Sequence, residues 1–226
     1  LRECRQTLFG AAVDEISIFE DGLEFLVSPL KGQKTGFFQD LREMRLLVQQ
    51  LALQKRVLNC FSYTGAFSCH ALKGGASHVM SVDISKDAID QTKKHMQLNG
   101  FDPSRHSEEA VDCFDFLRTR ELQYDLIILD PPAFAKRKSD IPQAIKGYQE
   151  INRTTMAKMP KNSLLLTCSC SYHVDEELFC KMLFHAAREA KRDVRIVQNH
   201  RLAFDHPVSI YHPESRYLKG FLCYIS

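Results

Sequence analysis

Long apolar runs and export signals are missing from the sequence. None of its apolar stretches approaches the roughly 20 consecutive residues that a membrane-spanning helix needs. The N-terminal segment LRECRQTLFG does not contain the apolar core of a signal peptide. Because the sequence starts with Leu1 instead of methionine, we expect the chain to begin inside a longer protein. The pattern therefore does not predict a membrane-spanning helix.

Closely spaced metal-binding cysteines are also absent. The eight cysteines contain no Cys-x-x-Cys pair, so the sequence does not predict a structural zinc site. Most of them lie in apolar runs, where a free cysteine behaves as a small hydrophobic residue. This usage is typical of a reducing compartment, and we expect a cytoplasmic protein.

A strong charge imbalance is missing as well. The 30 lysines and arginines nearly balance the 28 acidic residues, leaving a formal net charge of +2. Such a balance allows binding to nucleic acid but does not predict it. One local cluster, Lys136 to Lys138, falls in a predicted loop. Two interpretations of it remain open, a solvated surface and a contact with phosphate groups.

The sequence does contain a regular alternation of strands and helices. Short strands are predicted between Ile16 and Phe38, with a hairpin turn at Glu20–Gly22. From Asp40 onward, helical spacing appears and then alternates with seven apolar strands. This order indicates a mostly parallel sheet covered by helices on both faces. We therefore predict a β-hairpin element over residues 1–38 and an α/β, Rossmann-like domain over residues 39–226.

The residues that follow the first three strands of this domain suggest a cofactor site. Gly65 is the only glycine in the turn after the first strand, where a dinucleotide fingerprint has three. Asp83 ends the second strand and can accept hydrogen bonds from a ribose, or cap a helix. Asp112 and Cys113 end the third, where an acid can accept from an adenine amino group. Together with the fourth strand end, described next, they fit S-adenosylmethionine better than NAD.

The fourth strand leads into the sequence DPPAF, Asp130 to Phe134. Two prolines after a carboxylate form a rigid turn that lacks two backbone donors. Phe134 is suited to stacking on a planar base, or it is a core residue. The prolines alternatively do no more than end the strand. We expect a planar methyl acceptor beside this turn.

The fifth strand ends in two cysteines that are one residue apart. In an extended strand, Cys168 and Cys170 point to the same side, and Cys170 lies nearer the carboxyl end. A thiolate at that end can add to C6 of a pyrimidine and make C5 nucleophilic. From the spacing alone, three interpretations remain: a nucleophile, two buried thiols, and a metal or disulfide pair.

An ordered set of motifs carries a family resemblance over nearly the whole chain from Ile16. The motifs are KTGFFQDLREMR, VLNCFSYTGAFS, SVDISKDAID, YDLIILDPPAFAKRKSDI, GYQEIN, LLLTCSCS and DHPVSIYHPESRYLKGF. Together they resemble the bacterial cytosine-C5 methyltransferases that modify position 1962 of 23S rRNA. The resemblance implies a class I methyltransferase fold, S-adenosylmethionine as cofactor and RNA as partner, with the oligomeric state open between monomer and homodimer.

The resemblance also implies roles for individual residues. Cofactor contacts are implied for Asp40, Arg42, Phe61, Ser62, Tyr63, Thr64, Gly65, Asp83, Ile84, Asp112, Cys113 and Asp130. RNA contacts are expected for Pro131, Pro132, Phe134 and Lys136. Cys170 occupies the family's nucleophile position, Asp130 is expected to orient the cytosine, and Cys168 to fill the core.

Two alternatives to cytosine-C5 methylation remain at this stage. Related enzymes that methylate guanine N7 share several motifs but lack the cysteine at the position of Cys170, because N7 is already nucleophilic. A non-catalytic RNA-binding factor on the same scaffold is the other. The family also carries an N-terminal PUA-type RNA-binding module, which is not in this chain, so residues 1–38 are expected to be a remnant located after that module.

Overall fold

The strands and helices follow the predicted alternation. The computed structural model describes residues 13–30, 32–33, 35–200, 202–212 and 215–226. The strands are β1 (Ile16–Glu20), β2 (Leu23–Val27), β3 (Arg56–Cys60), β4 (His78–Asp83), β5 (His106–Ala110), β6 (Leu126–Leu129), β7 (Ser163–Ser169), β8 (Val194–His200) and β9 (Lys219–Ile225). The α-helices are α1 (Arg42–Leu51), α2 (Ala66–Lys73), α3 (Lys86–Leu98), α4 (Cys113–Thr119), α5 (Ile141–Lys158) and α6 (Glu176–Ala190).

The main sheet has seven strands in the order β5-β4-β3-β6-β7-β9-β8. The first five are parallel, and β9 pairs antiparallel with both β7 and β8. This confirms the predicted mostly parallel, Rossmann-like sheet. The strand order reverses between β3 and β6, which is where sheets of this kind bind ligands at the carboxyl ends of their strands.

Helices cover both faces of the sheet, as continuous apolar strands require. Every residue of β6 is buried, and so are all residues of β3 except Arg56. One core cluster joins the sheet to α4, α5 and α6, and the other joins it to α1, α2 and the hairpin. Within the described residues, no helix combines the length and apolarity that a membrane crossing requires.

Helix α3 shows how local sequence sets the element boundaries. The Ser85 hydroxyl accepts a hydrogen bond from the Ala88 amide, which caps the helix as predicted. The helix ends at Leu98, and Gly100 follows with a positive φ of 65°, as a helix C-terminus favours. The segment therefore contains both of its own end signals.

The predicted third strand of the domain differs from the structure by two residues. The sequence pattern suggested a strand ending at Asp112, whereas β5 ends at Ala110. Asp112 instead caps α4, because its carboxylate accepts from the amides of Phe114 and Asp115. This side chain therefore begins a helix, and its hydrogen bonds to the backbone fix its direction.

The hairpin β1–β2 is fastened to the helical layer. Leu23, Phe25 and Val27 of β2 are buried in the same core cluster as α1 and α2. The His95 ring on α3 bonds to the Leu26 backbone through Nε2 and to the Thr64 carbonyl through Nδ1. The hairpin is thereby linked through α3 to the loop that connects β3 to α2.

Candidate functional site

A cavity of ≈ 330 Å³ opens at the carboxyl ends of the parallel strands. This volume lies within the range of small-molecule sites. Fourteen of the predicted site residues line it: Asp40, Phe61, Ser62, Tyr63, Thr64, Asp83, Ile84, Asp112, Cys113, Asp130, Pro131, Pro132, Phe134 and Cys170. The fold therefore brings together side chains that are up to 130 residues apart in the sequence.

The loop between β3 and α2 forms one wall of the cavity. Its backbone is left-handed at Phe61 (φ 59°), Tyr63 (φ 47°) and Gly65 (φ 79°). Such positions are unfavourable for non-glycine residues and are retained where surrounding contacts hold them. Gly65 does not line the cavity, but a Cβ at this position would clash with Thr92. Its contribution is to the loop conformation.

Asp83 at the end of β4 is held in place by two backbone donors. Its Oδ2 accepts from the Tyr63 amide at 2.8 Å, and Oδ1 accepts from the Ser85 amide at 2.9 Å. A carboxylate oxygen has two acceptor positions. Each oxygen can therefore still accept one ribose hydroxyl. Ile84 follows and is 71% exposed, so it offers an apolar surface at the rim.

Asp112 and Cys113 form the neighbouring wall. Both helix-cap bonds of Asp112 go to Oδ1, and in the described part of the chain Oδ2 accepts none. The buried Cys113 thiol accepts from the Phe61 amide at 3.1 Å and contacts the Val82 carbonyl at 3.5 Å. Cys113 thus supports the β3–α2 loop, while Asp112 offers an acceptor to an amino group.

The segment before α1 forms the opposite wall, and the structure changes one expectation there. Asp40 is buried and accepts a hydrogen bond from the Tyr217 hydroxyl. Arg42, expected to contact the cofactor, does not line the cavity, because its guanidinium pairs with Asp21 at 2.9 Å. Arg45, one helical turn later, lies on the cavity side and was not predicted.

Arg45 was missed because arginine is rarely buried. It lies four residues after Leu41, on the apolar face of α1, and this spacing was the available signal. Its guanidinium donates to both oxygens of Glu20 at 2.5 and 2.6 Å and to the Phe38 carbonyl at 2.9 Å. Burial raises the pKa of Glu20, but hydrogen bonds from His70 and Arg45 outweigh it and leave that pKa below its usual value.

The DPPAF turn forms the floor between β6 and α5. Asp130, Pro131 and Pro132 line the cavity, and Phe134 lies 4.6 Å from the Tyr148 ring. Phe134 is therefore both a cavity residue and part of an aromatic cluster. Lys136 is exposed and does not line the cavity, and the Asp140 carboxylate accepts a hydrogen bond from its amide.

The two cysteines at the end of β7 have different surroundings. Both pack on the same side of the sheet, as their spacing predicts. Cys168 is fully buried with its sulfur 3.6 Å from the Met44 sulfur, and burial raises its pKa far above the usual value. Cys170 is half-buried, lines the cavity and has its sulfur 3.9 Å from the Pro131 carbonyl oxygen. Only Cys170 reaches the DPP turn.

The described residues contain one group with the composition of a metal site, between the hairpin and α2 and next to Arg45. It consists of Glu20, Asp21 and His70. Both Glu20 oxygens accept from Arg45, and both Asp21 oxygens accept from Arg42. The cationic guanidiniums occupy the positions that an ion would need. We interpret the group as a buried ion-pair network.

The cavity fits a cationic nucleoside cofactor. Asp40, Asp83, Asp112 and Asp130 line it, whereas its cationic Arg45 is paired with Glu20. This excess of carboxylates favours a ligand with positively charged groups, such as a sulfonium and an amino group. In addition, the buried Ser62 hydroxyl has no hydrogen-bond partner among the described residues. Buried hydroxyls are normally satisfied, so a ligand is a natural partner.

Comparisons with known proteins agree with this geometry. Residues 3–205 match the family described as S-adenosylmethionine-dependent methyltransferase. The chain is 43% identical over 211 residues to ribosomal RNA large subunit methyltransferase I of Serratia proteamaculans, and 42% identical to that of Escherichia coli. Each alignment covers 92% of this chain and 53% of the relative. The chain thus spans about half the length of these relatives.

Solved structures show the same architecture. The crystal structure of SMU.776 complexed with SAH superimposes with a TM-score of 0.85 at 30% identity, covering 96% of this chain and 57% of that one. Trm5b from Pyrococcus abyssi superimposes with a TM-score of 0.73 at 17% identity, covering 97% of this chain and 58% of that one. The second similarity bears on the fold alone.

Proposed function

Since the chain belongs to the S-adenosylmethionine-dependent methyltransferase family, we propose that it methylates C5 of a cytosine in large-subunit (23S) ribosomal RNA. The observation that carries the proposal is the position of Cys170, whose thiol faces the DPP turn inside the cavity. The ribosomal RNA substrate is proposed because the similar bacterial relatives are named as methyltransferases of the large subunit.

The cofactor supplies the methyl group, and the chain's own residues hold it beside the base. In this proposal the Asp83 carboxylate accepts from the ribose hydroxyls. Asp112 accepts from the adenine amino group, and the β3–α2 loop covers the nucleoside. Asp40 lies on the wall formed by the segment before α1, where it can accept from the cofactor's amino group.

The acceptor chemistry requires a nucleophile because C5 of cytosine is weakly nucleophilic. Attack of the Cys170 thiolate on C6 forms an S–C6 bond and moves the electron pair of the C5–C6 double bond toward C5. In this proposal Asp130, which lines the cavity, orients the base through N3 or N4. After methylation, loss of the C5 proton to a base and cleavage of the S–C6 bond restore the ring and the thiolate. The cytosine must leave its stack to reach the cavity.

Nucleoside analysis of RNA methylated by Cys170→Ser tests this mechanism. The substrate is large-subunit RNA that lacks the modification, and the matched control is Cys180→Ser on α6, another half-buried cysteine. We expect the native chain and the control to form 5-methylcytidine, and Cys170→Ser to form none above background. Near-native activity of Cys170→Ser would exclude the covalent mechanism. If the product is 7-methylguanosine, the target is guanine and the proposed cytosine is wrong.

The cofactor contacts have a separate test. Asp83→Asn removes the negative charge that would accept both ribose hydroxyls. Hydrogen bonds to charged groups are worth about 1.5–3 kcal/mol, so the affinity for S-adenosylhomocysteine should fall roughly 10- to 100-fold. Calorimetric titration measures it, with Asp90→Asn on the exposed side of α3 as control. Unchanged affinity in Asp83→Asn would contradict the assigned role of Asp83.

A further inference from the structure

A second cleft of ≈ 330 Å³ lies next to the cofactor cavity. The two share Leu218 in their walls. Tyr172 and His173, which line the second cleft, come shortly after Cys170 in the sequence. The cleft therefore lies close to the cavity in which the proposed target base is attacked. The proposed methyl transfer does not use it.

The cleft contains a buried ammonium group. Lys219 at the start of β9 is only 4% exposed, and its Nζ donates to the carbonyls of Ser171 and Tyr217 at 2.6 and 2.7 Å. Both acceptors are neutral, and no ion pair of Lys219 occurs within the described residues. Burial lowers the pKa of Lys219 to about 8, while the charges of Cys170, Asp175 and Glu176 act in the opposite direction. A buried cation of this kind is stabilised by an incoming anion.

Further cations reach the same cleft from separate parts of the chain. Lys138 comes from the basic cluster after the DPP turn, and Arg216 comes from the segment before β9. Both lie at the surface of the cleft, within reach of solvent. From the sequence, the basic cluster Lys136 to Lys138 had two interpretations, a solvated surface and a contact with phosphate groups. The fold now brings its last member to a concave site with two other cations.

The cleft also contains two acidic residues, Asp175 and Glu176, which accept hydrogen bonds from neighbouring groups. The Asp175 carboxylate caps α6 by accepting from the Leu178 amide, and Glu176 accepts from the Asn199 side chain at 3.2 Å. Lys138, Arg216 and Lys219 exceed Asp175 and Glu176 by one formal charge, which favours an anion over a cation. Several cationic side chains in one cleft are typical of phosphate recognition.

We propose that this cleft binds the phosphodiester next to the target nucleotide, with Lys219, Arg216 and Lys138 as its donors. The proposal rests on the proposed function, because that phosphate is adjacent only if the base lies at Cys170. Contact with the phosphate fixes the register of the RNA, so that one nucleotide is held over the thiol. The ligand class is a monoanionic phosphodiester of a single-stranded or unstacked RNA segment.

Salt-dependent binding of a short, fluorescently labelled single-stranded RNA tests the proposal. The chain is saturated with S-adenosylhomocysteine, and Lys219→Met and Arg216→Met are compared with Lys181→Met, an exposed lysine on α6. Each lost phosphate contact should lower the slope of log affinity against log salt by roughly 0.7. Arg216→Met is included because Lys219→Met removes two buried hydrogen bonds and could unfold the chain.

A neutral methylphosphonate placed at successive linkages around a single cytosine identifies the contact. We expect one linkage at which the replacement weakens binding to the native chain more than binding to Arg216→Met or Lys219→Met, because each variant has already lost one of the three donors. Equal losses at all linkages, or variants with the slope of Lys181→Met, would overturn the proposal. The proposal would also be overturned if Lys219→Met keeps the native slope and only slows alkylation of Cys170 by iodoacetamide. Lys219 would then act on the Cys170 thiol and not on the RNA.

A failure of the phosphate-binding proposal can be distinguished from a failure of the proposed methylation chemistry. The methylation assay with Cys170→Ser reports on the covalent chemistry, whereas the salt slope reports on the phosphate contact alone. A variant pair with lowered slopes and a selective linkage supports the cleft even if the methylated atom is not C5.

Discussion

At the residue scale, single side chains set the shape of the cavity wall. Gly65 adopts a φ of 79° and lies against Thr92, so any side chain there meets both a backbone and a steric penalty. Thr92 in turn donates to the Tyr63 carbonyl at 3.1 Å. The loop that lines the cavity is therefore supported by direct packing on α3.

Gly65→Ala should destabilise the chain more than Gly100→Ala. Both glycines have positive φ, which costs a β-carbon about 1–2 kcal/mol, but nothing lies within 4 Å of a Cβ at Gly100. The free energy of unfolding from urea titration should thus fall by a larger amount for Gly65→Ala. Adding Thr92→Ser to Gly65→Ala removes the clashing methyl group and should recover part of the lost unfolding free energy. Equal losses in Gly65→Ala and Gly100→Ala would show that Thr92 contributes no clash.

Much of the candidate site could be predicted from residues at strand ends. Asp83, Asp112, Asp130 and Cys170 follow apolar strands, and the carboxyl ends of parallel strands meet at one edge. Local sequence does not contain the partners of long-range pairs. The family resemblance implied Arg42 as a cofactor contact, whereas Arg45 lines the cavity. Only the folded hairpin decides which arginine reaches Glu20 and which reaches Asp21.

At the element scale, a buried ion pair fastens the hairpin to α1. Arg45 and Glu20 have side-chain exposures of 1% and 8%, and Arg45 also holds the Phe38 carbonyl. The hairpin therefore restrains the segment between β2 and α1, which lines the cavity. The sequence predicted the hairpin and the helix separately, but a contact across 25 residues depends on how the two pack.

Glu20→Gln should cost about 3–5 kcal/mol of unfolding free energy, because it leaves a buried guanidinium without its anion. The double variant Glu20→Gln with Arg45→Met should lose less than the sum of the two single losses, as measured by urea titration. Glu150→Gln breaks the exposed pair with Arg118 and should cost less than about 1 kcal/mol. Similar losses at both sites would mean that burial adds nothing to the hairpin pair.

At the scale of the whole molecule, buried histidines make stability depend on pH. Burial lowers the pKa values of His70 and His95 and lowers that of His106 to about 4. These rings therefore stay neutral in the folded chain while the unfolded chain takes up protons below about pH 6.5. Folding then loses free energy as the pH falls, since the unfolded state binds more protons.

We expect the free energy of unfolding to fall steadily between pH 6.5 and about 4, by about 1.4 kcal/mol for each unit of pKa difference. Urea titration across this range measures the slope. His106→Gln should make this slope shallower, while the contributions of His70 and His95 remain. If the unfolding free energy of His106→Gln depends on pH as steeply as that of the native chain, His106 does not contribute to the loss of stability.

The central claim, that Cys170 attacks the base, is tested most directly by trapping the covalent adduct. Large-subunit RNA transcribed with 5-fluorocytidine blocks the last step, because C5 then carries fluorine where a proton must leave. With S-adenosylmethionine present, we predict a complex that survives denaturation and whose digested peptide links methylated fluorocytosine to Cys170. A linkage to another residue would contradict the account, and so would formation of 5-methylcytidine on ordinary RNA without any trapped adduct on the fluorinated RNA.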